Sequence, residues 1–187
     1  MEYTVTVTAD EFQRHPARAA EEAAWFEEVF DEHWNRVYSI LFRLVGERAE
    51  AEDLALEVFW RLHSRPPRSA DNLGGWLYRV AANLGLNALR ARQRRMGYEQ
   101  QAGQDMLVLG HAPDPAEETE RAEQRRLVQA TLAQLKPRAA QTLIMRHSGL
   151  SYAEIAAALH LPVSSVGTVL ARAEAEFEKA YRQIGGE

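Results

Sequence analysis

The chain contains no cysteine, which excludes disulfides, thiolate catalysis, zinc ribbons and thiol redox sensing together. Long apolar runs are missing too. None reaches the roughly 20 residues needed to span a bilayer, and the N-terminus lacks a basic stretch followed by an apolar one. A cytoplasmic protein with no membrane insertion is the expectation. There is no glycine-rich phosphate loop, and His33, His63, His111, His147 and His160 are scattered, with no pair at metal-ligand spacing. No catalytic residue, metal or cofactor is expected, and no enzyme. Excess positive charge is lacking as well: the net charge is −5, so the long-range field repels phosphate and argues against a freestanding nucleic-acid binder.

What is there is unevenly placed. Acidic residues crowd positions 21–57 and arginines crowd positions 79–95, as suits an acidic face for a protein partner and a basic face for nucleic acid. With 187 residues, the chain can form one domain or two small ones.

Residues 72–96 organise the reading. Leu73, Leu77, Val80, Leu84, Ala88 and Ala91 recur in steps of three and four, an apolar stripe of an amphipathic helix. Roughly 100° around the axis lie Trp76, Arg79, Asn83, Asn87, Arg90 and Arg94. An aromatic ring, two carboxamides and guanidinium groups on one face can stack a base, hydrogen-bond its edge and pair phosphate. A solvated basic face on a core helix has the same composition.

Upstream, Tyr3, Val5 and Val7 alternate like a strand. A lone strand forms no sheet, so a loose or packed-on tail is expected. From about residue 21 the period turns helical, with Phe26, Phe30, Trp34 (or His33), Val37, Leu41 and Leu44 in a stripe that Gly46 caps. In the next helix, about residues 49–63, Ala51, Leu54, Ala55, Val58 and Leu62 form the buried side. Asp53, Leu56, Glu57 and Trp60 share another side, either as a protein-docking patch or packed on the neighbouring helix. A loop with Pro66, Pro67, Ser69, Asp71 and Asn72 follows.

Residues 97–116 lose periodicity and are expected to be a flexible linker. Their apolar patch, residues 106–109, could touch a partner or domain surface, and His111 there is expected to be solvated. The second domain, 117–187, carries four helical segments. The first buries Leu127, Thr131, Leu132 and Leu135. The second, opened by Pro137, buries Ala140, Leu143 and Ile144 and ends at Gly149. Ser151 and Glu154 form a capping box for the third, which packs Ile155, Ala156 and Leu159. His160, Leu161 and Pro162 turn the chain into the fourth, burying Val166, Val169, Leu170, Ala173 and Phe177. That is a helix-turn-helix pattern. Ser164, Ser165, Gly167, Thr168 and Arg172 fall on or near its outer, DNA-facing side.

Both halves resemble the bacterial sigma factors of RNA polymerase, in the compact extracytoplasmic-function group. AEDLALEVFWRL resembles the core-binding helix, through Asp53, Leu54, Glu57 and Phe59. WLYRVAANLGLNALRARQRR is similar to the promoter-melting helix, with Trp76, Leu77, Asn83 and Arg90 in register. LSYAEIAAALHLPVSSVGTVLARAEAEF looks like the C-terminal helix-turn-helix, through Ser151, Tyr152, Glu154, Ile155, Ala156, Pro162, Val166 and Arg172. The resemblance implies an all-α fold of two small helical domains: a sigma region 2-like bundle over 21–96 and a region 4-like helix-turn-helix over 117–187. It implies that Asp53, Leu54, Leu56, Glu57 and Trp60 dock on the clamp helices of the largest polymerase subunit. The minus-ten element would meet Arg68, Trp76, Arg79, Asn83, Asn87, Arg90 and Arg94, with a flipped base held by the 64–73 loop and the Trp76/Asn83 face. Ser164, Ser165, Gly167, Thr168 and Arg172 would read the minus-thirty-five element. The implied partners are core RNA polymerase (clamp helices and flap region), promoter DNA and an anti-sigma factor.

The chain also departs from that pattern. Leu56 replaces a usual Gln, Asn87 a common Asp and His160 a usual Gly, while Gly167 and Val169 occupy positions that are often basic. A stand-alone helix-turn-helix regulator is the alternative, and the separate aromatic and basic face on residues 76–94 counts against it.

Overall fold

The computed structural model describes residues 16–67, 69, 71–101 and 117–185. Tyr3, Val5, Val7, Arg68, the 106–109 patch and His111 lie outside the described residues. Every regular element among the described residues is helical: α1 (Pro16–Val45), α2 (Arg48–Ser64), α3 (Leu73–Gln101), α4 (Glu117–Gln134), α5 (Pro137–His147), α6 (Tyr152–Leu159) and α7 (Val163–Gly185).

Local chemistry sets the boundaries. Gly46 ends α1 at φ 76°, a left-handed position that suits a residue without Cβ, and its N–H returns to the Phe42 carbonyl at 2.8 Å. Glu47 starts α2 at once, its two carboxylate oxygens accepting from the N–H groups of Ala49 (3.0 Å) and Glu50 (2.7 Å). At the end of α5, the N–H of Gly149 reaches the Arg146 carbonyl and that of Leu150 reaches Met145. This crossed pair satisfies two orphan carbonyls. The capping box at α6 is formed in both directions between Ser151 and Glu154.

The first half packs α1, α2 and α3 around a ring cluster. Phe30 lies 4.7 Å from Phe59 and 4.8 Å from Trp34, centroid to centroid, and Phe26 stands edge-on to Phe59. α1 and α3 approach closely at Gly85, where a Cβ would sit 2.6 Å from Leu44 Cδ1. The stripe expected on α3 is displaced: Leu77 is buried as expected, but Tyr78, Ala81, Ala82, Gly85, Leu86 and Leu89 complete the buried face. Leu73, Val80, Leu84 and Ala88 are only half-buried. The reason is that α3 is covered on more than one side, by α1 and α2 and also by α4, α5 and α6. A helix packed that way has no single stripe.

In the second half, Ile155, Ala156, Ala158, Leu159, Val166, Leu170 and Ala173 close the core between α5, α6 and α7. The axes of α6 and α7 meet at 89°, the angle of a helix-turn-helix. His160 takes the left-handed turn position at φ 52°. Val169 and Phe177, expected to be buried, are half-exposed along α7. The buried residues of the two halves form one connected cluster. α3 itself runs through Gly97 and Tyr98 to Gln101, past the point where the periodicity stops. Glu, Gln and Arg neighbours hold helix well enough to offset one glycine, worth about 1 kcal/mol.

Candidate polymerase and nucleic-acid interfaces

On α2, burial of Ala51, Ala55, Val58, Phe59 and Leu62 leaves the opposite side to solvent. Leu56 is 53% exposed and Trp60 63% exposed, so neither packs on the neighbouring helix. Asp53 is exposed beside them and Leu54 half-buried. Glu57 pairs with Arg61 one turn on, at 2.8 Å, and the Trp60 ring lies 5.9 Å from that of His63. Two large apolar groups held in water between carboxylates form a surface suited to desolvation by a partner.

The α3 face is organised differently. Trp76 is half-buried at its start, and Asn87 and Arg94 are exposed. The other three predicted residues are engaged by the second half. Arg79 donates to the Ala158 carbonyl at 3.5 Å and also meets Nε2 of His160. The Asn83 Oδ1 accepts from Gln141 Nε2 at 2.5 Å. Arg90 donates through Nε to the Ala133 carbonyl (3.2 Å) and through Nη2 to that of Leu135 (3.0 Å). The acceptors sit at the C-terminal ends of α6 and α4, where carbonyls lack intrahelical partners and carry the negative pole of the helix.

Sequence reasoning missed the rest of this seam. Arg36 of α1 forms an ion pair with Glu154 of α6. The Asn72 amide donates to the Ala157 carbonyl at 2.8 Å, and Gln129 donates to that of Leu44 at 3.0 Å. Each links residues far apart in the chain, and no local pattern marks such a pair. Beside the seam an open groove of about 970 Å³ runs between α1, α4, α5 and α7, with Phe42, Val128, Leu143 and Phe177 on its walls.

On α7, Ser164, Thr168 and Arg172 are exposed, and Ser165 and Gly167 are half-exposed. The helix presents its N-terminal amides together with two serines and a threonine, and Arg172 is the one base predicted there. A Cβ at Gly167 would meet only the Tyr152 ring, at 3.7 Å, so a side chain fits.

Two titrating groups hold the first half. His33 Nδ1 pairs with the Tyr78 hydroxyl at 2.9 Å. Burial pushes the His33 pKa below its ordinary 6.5 and the Tyr78 pKa above its ordinary 10. The α2 amides that bond Glu47 hold its carboxyl below the ordinary range. Among the described residues no three His, Asp or Glu side chains gather as a metal site would require.

The order of these surfaces along the chain has close counterparts. The Sigma-70 region 2 family matches residues 29–95, which contain both the α2 and the α3 faces, and the Sigma-70 region 4 family matches residues 125–177, which contain the helix-turn-helix. The chain belongs to the ECF group of RNA polymerase sigma factors. The ECF sigma-E factor of Haemophilus influenzae is 30% identical, over 85% of this chain and 88% of its own. The sigma-H factor of Pseudomonas aeruginosa is 29% identical, over 80% and 82%. SigW of Bacillus subtilis is 24% identical, over 85% and 90%. The two regions follow one another in this chain, at residues 29–95 and 125–177.

Proposed function

We propose that this sigma factor docks on core RNA polymerase through Asp53, Leu54, Leu56, Glu57 and Trp60. In this reading it opens the minus-ten element with Trp76, Arg79, Asn83, Asn87, Arg90 and Arg94, and reads the minus-thirty-five element with Ser164, Ser165, Gly167, Thr168 and Arg172. Promoter-directed initiation is the work of the family; the residue assignments are ours. The observation that supports them most is the separation of duties on region 2. Its aromatic–apolar patch on α2 stays in water, while a different helix carries the stacking and phosphate-pairing groups.

Core RNA polymerase and promoter DNA are the partners, with an anti-sigma protein as the third. We place the protein in the cytoplasm, with no catalytic site of its own. The two regions act as separable units joined through residues 97–116. A stand-alone operator-binding regulator would need no polymerase-docking patch, and Leu56 and Trp60 would then have no reason to remain exposed.

The test is transcription in vitro from a randomised promoter library with core polymerase. Recovery of a two-element consensus that depends on this chain supports the proposal. Tight sequence-specific DNA binding without polymerase, and no transcription with it, contradicts it.

A further inference from the structure

Two exposed apolar side chains of the helix-turn-helix serve neither its core nor the contacts assigned above. Val163, the first residue of α7, is 54% exposed, and Tyr152, the first residue of α6, is 41% exposed. Gly167 lies one turn along α7 from Val163, on the same face. It stands beside the Tyr152 ring, which a Cβ there would meet at 3.7 Å, so the ring continues the apolar surface past the glycine. No charged residue occurs on α7 before Arg172. Phosphate attraction, which favours all sequences alike, therefore contributes little at this end of the helix.

A solitary exposed valine is ordinary on a protein surface. What sets Val163 apart is its place. The N-terminal residues of the second helix of a helix-turn-helix are those that meet base edges in the major groove. Of the groups that the four base pairs display there, one alone is apolar, the C5 methyl of thymine. Against that methyl, valine removes apolar surface from water on both sides. Against the edge of any other base it covers a donor or acceptor and supplies no bond in return, which leaves a polar group unpaired. The same side chain thus attracts one base and rejects the rest.

We infer that Val163 is a specificity-determining residue of region 4, selecting thymine in the minus-thirty-five element through its C5 methyl. The inference rests on the α7 reading proposed above and adds to it one residue and the base that residue selects. Gly167 projects no side chain on the Val163 face, so the duplex can come close enough for the methyl contact.

The test uses holoenzyme, formed from the full chain and core polymerase, on the promoter recovered from the randomised library. Each thymine of the upstream element is replaced in turn by uracil, which differs only in lacking the methyl. At one position at least, uracil should weaken wild-type binding about fourfold, the worth of burying one methyl-sized group. Val163→Ala should lose that difference and Val163→Ile should restore it. The side chain is exposed, so neither change disturbs the core.

An equal thymine preference in wild type and Val163→Ala overturns the inference. So does an upstream element that lacks thymine, or one whose thymines all tolerate uracil without loss. Selection from the same library with Thr168→Ala separates this failure from that of the α7 reading. If Thr168→Ala alters the upstream consensus and Val163→Ala does not, α7 faces the DNA and the valine assignment alone falls. If neither alters it, the α7 reading falls as well.

Discussion

Gln141 of α5 donates its side-chain amide to Asn83 of α3 at 2.5 Å, joining a residue of the second half to the middle of the aromatic and basic face of the first. Asn83 is otherwise exposed. The strand-opening role proposed for it can therefore be tested apart from folding.

Alanine at Trp76 or Asn83 should abolish open complex on a duplex promoter with core polymerase, and a pre-melted bubble should partly restore it. Stacking on an aromatic contributes about 1–3 kcal/mol per base and requires an unpaired base. Potassium permanganate reactivity of the minus-ten thymines gives the measurement. Equal loss on both templates would assign these residues to duplex binding instead.

Leu56 and Trp60 stand in water, so alanine there should leave thermal stability within about 0.5 kcal/mol. Trp60→Ala should nevertheless weaken core polymerase association by about 2 kcal/mol or more if the ring anchors the interface. Glu57→Lys should do likewise through charge reversal against a basic partner. Competition for core polymerase against a labelled sigma factor reads both, and unchanged affinity would detach this patch from polymerase.

At Gly85 the prediction concerns packing alone. An alanine Cβ would lie 2.6 Å from Leu44 Cδ1, and overpacking of that kind costs about 1–3 kcal/mol. Gly85→Ala should lower the midpoint of denaturant unfolding, while Gly97→Ala, with nothing within 4 Å of its Cβ, should not.

Acid should erode stability in two successive windows. The folded-state pKa of His33 lies below 6.5 because burial disfavours the imidazolium, so the unfolded chain takes up the proton more readily. That contribution is complete above about pH 7 and declines as pH falls through 6.5 toward the folded value. Glu47 is held below its ordinary 4.5 by the α2 amides; its contribution is present above that value and is lost as pH falls through the folded pKa. Denaturant unfolding across pH 8 to 5 should show a slope that His33→Gln flattens, with Glu47→Gln affecting only the more acidic range. A slope unchanged in His33→Gln would place the titration elsewhere.

Gly167→Lys should tighten upstream duplex binding by the holoenzyme and steepen its log affinity against log salt by about one unit. It should also blur sequence preference, since a phosphate contact favours all sequences alike. The Tyr152 ring at 3.7 Å leaves room for the change. An unaltered salt slope would mean that this part of α7 does not face the backbone.

Local signals were legible where local chemistry decides the outcome. Gly46, Gly149 and the Ser151–Glu154 box announce helix ends, and all three form as their residue types require. The exposed Leu56 and Trp60 stand off the apolar stripe of α2 in the sequence and off its core in space. Periodicity assumes one buried side, so it misses the displaced buried face of α3, which is covered by elements from both halves. The engagement of Arg79, Asn83 and Arg90 could not be read from their neighbours. The acceptors of Arg79 and Arg90 arrive from the ends of helices forty to eighty positions along the chain, and the donor to Asn83 from within α5; a helix terminus leaves no mark on the sequence of the residue that will cap it.

Glu154 uses its two carboxylate oxygens in two directions. One accepts from the Ser151 backbone and hydroxyl, fixing the start of α6, and the other holds Arg36 of α1. The rigidity of the first helix of the DNA-reading pair is thereby wired to the arrangement of the whole molecule. When Arg36 leaves, the carboxylate loses one tether and its capping oxygen gains freedom, so the first turn of α6 frays more readily. By reciprocity, a ligand that stiffens this turn favours the return of Arg36. Backbone amide exchange at Ser151 should consequently quicken in Arg36→Glu while amides deep in α5 keep their rate. Equal exchange in both proteins would uncouple the cap from the seam.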